Sequence, residues 1–293
     1  MAEPRYRGRF APSPTGPLHF GSFITALAGF LRARAAGGEW HVRLDDLDTP
    51  RVVPGAATGI LRTLERYGLT WDGPVVYQAS RRSEHQAACT RLIEAGHAFY
   101  CTCSRRVIGD HAYPGTCRHR RTAPRGRCCV RLRVTAAPIV IEDGLQGESR
   151  WDLTTHGGDF VIWRVEDLPA YHLAAVVDDA ALEATEIVRG TDLIDSAPRQ
   201  RYLQRLLGFA EPAYLHLPVA VDAHGQKLSK QQHAPAIDTL PPALALSAAL
   251  AWLGHPPPVE LAHASHRELL AWAMIAWSLP RVPPVASRVA PAQ

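Results

Sequence analysis

Lysine and asparagine are almost missing from this chain. Asparagine does not occur, and lysine stands only at Lys227 and Lys230, so 30 of the 32 basic residues are arginine. The two amino acids share AAN codons, and their joint depletion reads as a GC-rich coding sequence that installs arginine wherever the chemistry permits. The surviving pair sits within Gln226-Lys227-Leu228-Ser229-Lys230-Gln231. A compact ammonium on a flexible stem is not interchangeable with a planar guanidinium at a tight phosphate site, so the segment is a candidate for phosphate chemistry. Long apolar runs are missing too. None approaches the ~20 residues that a membrane span needs, and the N-terminal MAEPRYRGRF lacks the apolar stretch of a signal peptide. A cytoplasmic protein with no membrane partner is expected, and in that compartment the six cysteines read as thiols or metal ligands. Charge of neither sign dominates: the net charge is +4, which permits a nucleic-acid partner without requiring one.

What is present begins with a βαβ pattern. A strand over 5–11 runs into Pro12-Ser13-Pro14-Thr15-Gly16-Pro17, which cannot be regular structure. Phe20, Phe23, Ile24, Leu27, Phe30 and Leu31 then recur at helical spacing until Gly37-Gly38. A second strand follows at Trp40–Leu44 and ends in Asp45-Asp46-Leu47-Asp48. Such a unit implies a parallel sheet with its ligand at the strand C-termini. Further helices are expected at 55–67, at 81–95 (with Ser80 as a cap), at 197–207, 241–254 and 266–278. Short strands are expected at 129–134, 138–142, 159–165 and 216–221. The last dozen residues, rich in Pro, Ala and Val, read as a disordered tail.

Chemistry concentrates in three places. His19-Phe20-Gly21-Ser22 sets an imidazole, a glycine and a hydroxyl at a helix N-terminus, where free N–H groups and the macrodipole favour an anion. A serine that merely caps the helix is the plainer explanation when the motif stands alone. Combined with the preceding turn and the distant lysine pair, it points to a nucleotide site. The second place is Cys101-Thr102-Cys103 followed by Cys117, three thiols within seventeen residues. They suit tetrahedral zinc with one ligand to find, and general chemistry nominates His111 or His119. Cys89, Cys128 and Cys129 fit no ligand spacing and read as packing residues. Third, seven arginines and no acid lie between Arg118 and Arg133, a candidate phosphate-binding patch or simply a solvated face.

Taken together these motifs resemble the class I glutamyl-tRNA synthetases. The stretch Arg9 to Ser22 is similar to their first class I motif, and Lys227-Leu228-Ser229-Lys230-Gln231 to their lysine-bearing loop. Arg43 to Arg51, Tyr171 to Asp179, and Arg189-Gly190-Thr191-Asp192-Leu193 match in order between them. The resemblance spans about 5–235. It implies an α/β, Rossmann-type class I aminoacyl-tRNA synthetase core with an inserted zinc knuckle and a short helical C-terminal region. It also implies that glutamate is activated by ATP with Mg2+. His19, Gly21 and Ser22 would hold ATP from one side, with Lys230 and Lys227 closing over the phosphates from the other. Arg9 would grip the γ-carboxylate of glutamate, Arg9, Phe10, Ala11, Pro12 and Ser13 would line its pocket with Tyr171 and Arg189, and Asp45 would hold the ammonium. The resemblance also points to Tyr113, four residues before Cys117, in place of the histidines as the fourth zinc ligand beside Cys101, Cys103 and Cys117.

The expected organisation is a catalytic core over 1–97 and 170–235, an inserted zinc-knuckle, acceptor-type subdomain over 98–169, a helical region over 236–280 and the disordered tail over 281–293. Only 62 residues follow Gln231, too few for an anticodon-binding domain of ordinary size. The chain therefore resembles the stand-alone catalytic paralogues of the family, which attach glutamate to queuosine at the wobble position of tRNA(Asp). The competing readings are a truncated synthetase that charges a tRNA 3′ end and, from another class, a non-catalytic amino-acid-binding paralogue.

Overall fold

The computed structural model describes residues 5–109, 112–228 and 235–291. Lys230 and His111 lie outside the described residues. In chain order the elements are β1 (Arg7–Phe10), α1 (Phe20–Ala35), β2 (Glu39–Leu44), α2 (Ala56–Arg66), β3 (Val76–Tyr77), α3 (Arg82–Glu94) and β4 (Ala98–Cys101). Then come α4 (Arg105–Ile108), β5 (Cys129–Leu132), β6 (Ile139–Asp143), β7 (Gly147–Trp151), β8 (Val161–Trp163), α5 (Tyr171–Ala181) and β9 (Glu186–Gly190). The chain continues through α6 (Ser196–Leu207), β10 (Ala213–Leu217), β11 (Val219–Val221), α7 (Pro242–Trp252), α8 (His266–Ala276) and β12 (Ser287–Val289). No helix among the described residues is long and apolar enough to cross a membrane.

The expected βαβ unit forms, with β1 and β2 parallel in the register Phe10↔Val42 and β3 continuing the ladder. The helix between them is apolar on most of its surface. Phe23, Ile24, Leu27 and Leu31 are fully buried in a core shared with Trp40, Tyr67 and helices α7 and α8. Gly38 is required where the chain turns back, because a Cβ there would stand 2.4 Å from the Tyr6 carbonyl oxygen. A second parallel ladder joins β9, β10 and β6, with β7 folded back on β6 as an antiparallel hairpin. β1 runs beside β9, where Thr185 N donates to Arg7 O at 2.9 Å. The C-terminal ends of β1, β2, β9 and β10 thereby converge.

Several expectations need correction. The segment 98–169 is not a subdomain apart: β6 pairs with β10, and Val130, Ile139, Ile141 and Ile162 share one core with Leu173, Ile187 and Leu203. The strand expected at 216–221 breaks at Pro218, which has no N–H to donate to a ladder. Two strands result, β10 and β11. Ser80 does not cap α3, since its hydroxyl bonds Tyr77 O at 2.7 Å and the helix starts at Arg82. The segment 281–291 is not disordered. β12 pairs with β11 in parallel, and Trp252 Nε1 donates to Val289 O at 2.9 Å. Strands β3, β4, β7 and β9 escaped the reading because two to five residues carry too little periodicity.

Candidate active site

A cleft of about 740 Å³ opens over the converging strand ends. Every described residue proposed from the sequence for ATP or glutamate lines it: Arg9, Phe10, Ala11, Pro12, Ser13, His19, Gly21, Ser22, Asp45, Tyr171, Arg189 and Lys227. They come from five separated stretches of chain. The strand-and-turn Arg9–Ser13 forms one wall, and the N-terminus of α1 stands beside it. His19 itself caps that helix, its imidazole meeting Ser22 N at 3.4 Å and Ser22 Oγ at 3.0 Å. A Cβ at Gly21 would lie 3.3 Å from the His19 ring, so glycine here keeps both the ring position and the helix face open.

Beneath the cleft lies a buried ionic network that the sequence reading missed. Arg9 donates through Nε to Asp179 Oδ1 at 2.8 Å and through Nη1 to Val188 O at 3.4 Å. Arg43 donates through Nη1 to the same Asp179 Oδ1 at 2.6 Å and through Nε to Asp45 Oδ1 at 2.7 Å. Two guanidiniums and two carboxylates thus neutralise one another out of water, the condition under which buried charge is tolerated. Burial pushes the Asp179 carboxyl upward, but Arg9 and Arg43 outweigh it and hold the group below the ordinary range. For Asp45 burial wins over Arg43 and the shift is upward. Next door, Asp178 accepts from Arg81 Nε at 2.8 Å and meets His85 Nε2 at 2.9 Å. The clue was available: Asp178-Asp179 interrupts the otherwise apolar Leu173–Ala181, and acids on a buried helix face need partners. The expectation that Arg9 grips substrate is narrowed, since three of its donor positions already face Asp179 and Val188 O.

Arg189 is differently placed. It is buried, with Nε donating to His216 Nε2 at 3.0 Å and Nη1 to Gln200 Oε1 at 2.6 Å. Its Nη2 is buried without a protein acceptor, and the residue lines the cleft. An unpaired buried guanidinium donor is costly, and a carboxylate is the group that matches it. Lining the same cleft, Lys227 Nζ contacts Asp192 Oδ2 at 2.5 Å, both side chains partly exposed. This lysine starts from an ion pair within the cleft rather than from an open position.

The cysteine cluster is compact. The sulfurs of Cys101, Cys103 and Cys117 lie within 4.8 Å of one another. Tyr113 Oη stands 3.4 Å from Cys101 Sγ and 3.7 Å from Cys103 Sγ, and the Cys103 and Cys117 sulfurs are 3.7 Å apart. Tetrahedral zinc with sulfurs at about 2.3 Å and oxygen at about 2.0 Å sets its ligand atoms roughly 3.5–3.8 Å apart. The distances fit. The Arg131 guanidinium lies over the Tyr113 ring at 4.4 Å. Cys117 N donates to the Tyr113 oxygen at 2.8 Å and favours negative charge there, but burial and the neighbouring thiols push the phenol pKa up, so a phenolate here would need a metal ion's own charge. His119 is exposed and outside the cluster. Cys89 packs in the core that holds Val130, Ile139, Leu173 and Ile187, and Cys129 packs behind the knuckle.

The arginine patch is smaller than its sequence suggests. Arg118 is bound to Asp159 through two nitrogens, Arg131 to Asp159 O, Arg120 to Thr102 and Arg133 to Arg118 O. These four build the knuckle. Arg121, Arg125 and Arg127 remain exposed.

Known proteins share this sequence pattern and fold. Residues 5–240 match the model of the class I tRNA synthetases (E and Q), catalytic domain. The chain is 51% identical to a glutamyl-Q tRNA(Asp) synthetase of Chromobacterium violaceum, covering 97% of both chains. It is 49% identical to one of Pseudomonas aeruginosa, covering 95% of both. The fold matches a crystal structure of glutamate-tRNA synthetase from Elizabethkingia anophelis with a TM-score of 0.79 at 23% identity, over 97% of this chain and 68% of that one.

Proposed function

We propose that this chain, which belongs to the class I tRNA synthetases of the E and Q type and is a ligase of the aminoacyl-tRNA synthetase kind, makes glutamyl-adenylate and passes the glutamyl group to queuosine in tRNA(Asp). One α-carboxylate oxygen of glutamate attacks the α-phosphorus of ATP, and the bond to the bridging oxygen breaks, releasing pyrophosphate. A queuosine hydroxyl then attacks the carbonyl carbon, its proton leaves, and AMP departs. Queuosine carries a cyclopentene cis-diol, chemically comparable to a terminal ribose diol, so one site design serves either nucleophile.

The observation that carries this reading is the unpaired, buried Nη2 of Arg189 in a cleft shared with His19, Gly21 and Lys227. Arg189 receives a glutamate carboxylate, Arg9 and Tyr171 border the same pocket, and Asp45 receives the ammonium group. His19, Gly21 and Ser22 seat the nucleotide at the helix N-terminus. Lys227 exchanges Asp192 for the phosphates, and Lys230 joins it. Catalysis is positioning and charge stabilisation, with no covalent enzyme intermediate. Mg2+ accompanies ATP. Cys101, Cys103, Cys117 and Tyr113 would hold one zinc ion, which ties the two ends of the knuckle together. The shares of sequence in common with glutamyl-Q tRNA(Asp) synthetases support queuosine over a 3′ terminus. The test is transfer of labelled glutamate to tRNA(Asp) with and without queuosine. Label that requires queuosine supports the reading, and label that requires only the 3′-terminal adenosine sinks it.

A further inference from the structure

The side chains that hold Arg189 in place on β9 come from the strands β10 and β6 and from helix α6. His216 on β10 is the Cα partner of Arg189 on β9, and Tyr214 on β10 is the partner of Asp143 at the end of β6. Asp143 Oδ2 meets His216 Nδ1 at 2.6 Å, His216 Nε2 accepts from Arg189 Nε at 3.0 Å, and Arg189 Nη1 reaches Gln200 Oε1 at 2.6 Å. Asp143 is itself fixed, since its Oδ1 accepts from Leu145 N at 3.0 Å and from Gln146 N at 2.9 Å. All four side chains of the chain from Asp143 to Gln200 are buried.

A guanidinium carries only donors. His216 therefore has to offer a lone pair at Nε2, and a neutral imidazole does so only when its proton sits on Nδ1. Asp143 accepts that proton's hydrogen bond and so selects the tautomer. With two of its nitrogens held in this way, Arg189 has its plane set by the protein, and Nη2 is the nitrogen without a protein partner.

We propose that Asp143 and His216 are positioning residues: Asp143 fixes the tautomer of His216, and His216 orients Arg189 for the carboxylate of the amino-acid substrate. The inference rests on the assignment of Arg189 to glutamate, and it links the β6–β7 hairpin, remote in sequence, to amino-acid recognition. His216 does not touch substrate in this account. Removing it costs affinity by letting the guanidinium turn and by leaving its Nε unpaired.

Glutamate-dependent ATP–pyrophosphate exchange separates the outcomes when run on wild type, His216→Phe, His216→Gln and Asp143→Asn, with thermal unfolding of each. His216→Phe is expected to raise the KM for glutamate by about tenfold or more, the usual cost of a lost bond to a charged group, while the KM for ATP stays within about twofold. His216→Gln, which keeps an acceptor at the Nε2 position, should recover most of that loss. Equal KM values in variants and wild type, or a loss shared equally by ATP, would overturn the inference. If the wild type shows no exchange at all, it is the assignment to glutamate that fails. The positioning chain is then read directly by nitrogen NMR of labelled histidine. A neutral His216 protonated on Nδ1 supports it, and protonation on Nε2 overturns it.

Discussion

At the residue scale the chemistry turns on charges held out of water. Asp179 serves two guanidiniums at once, so Asp179→Asn would leave Arg9 and Arg43 undercompensated inside the protein. The loss is expected to be about 3–5 kcal/mol at neutral pH, measurable by urea denaturation. The pH dependence has a definite sign. The folded-state pKa of Asp179 is depressed, so its stabilisation is present above the unfolded carboxylate pKa and is lost as pH falls through the folded value. The gap between wild type and Asp179→Asn should therefore narrow below about pH 4, and a gap that widens in acid would contradict the network. Lys230→Arg tests the lysine segment. Charge is kept but shape is not, and adenylation should drop by about 10²–10³. Exchange within twofold of wild type would make the two surviving lysines an accident of composition.

Sequence legibility at this scale followed local context. His19, Gly21 and Arg9 could be named because turn, helix start and strand lie together in the chain. Asp143 and His216 could not, because their partners lie tens of residues away and only strand pairing brings them together; Asp179 could not, because helix α5 carries it to Arg9 and Arg43 from far along the chain. The Arg118–Arg133 run misled for the opposite reason: its local density hid the fact that Asp159, the Thr102 hydroxyl and backbone oxygens already occupy four of its members.

At the scale of elements, two small pieces do more than their length suggests. The terminal strand β12 pairs with β11, which leads to Lys227, and Val219 N donates to Ala286 O at 3.0 Å. Gln146 Nε2 reaches both His216 O at 2.9 Å and Val285 O at 3.4 Å, so the C-terminal segment also touches the hairpin behind Arg189. Truncation after Pro284 should lower the melting temperature by about 5–10 °C, as loss of several hydrogen bonds and the Trp252 contact would. An unchanged melting curve would return the segment to the status of a tail. No periodicity announces a three-residue strand between prolines, which is why the sequence reads as disorder there. The knuckle is the second piece. Purified protein should contain about one zinc per chain by elemental analysis. Cys103→Ser should lose it, and Tyr113→Phe should weaken it. Full zinc retention in Tyr113→Phe would remove the tyrosine from the ligand set.

For the whole molecule, the two parallel ladders were half legible. The apolar period of α1 between two β-prone runs declared a parallel unit, whereas the sharing of one core by residues from 98–169 and from α5 and α6 depends on packing that no local pattern encodes. Every described residue assigned to adenylation lines a single cleft, so exchange of pyrophosphate should proceed with glutamate, ATP and Mg2+ alone, without tRNA. The exposed Arg121, Arg125 and Arg127 supply basic surface for an RNA backbone, and unstacked loop bases are the parts of RNA that proteins read most directly. Where the glutamyl group goes is the central claim, and one labelling measurement decides it. Labelled glutamate and ATP are incubated with tRNA(Asp) that carries queuosine, before and after removal of the 3′-terminal adenosine. Label should persist on the trimmed RNA and vanish when queuosine is missing or its diol has been oxidised. Label lost on trimming, or equal on RNA without queuosine, would contradict the account and make the enzyme one that charges 3′ ends.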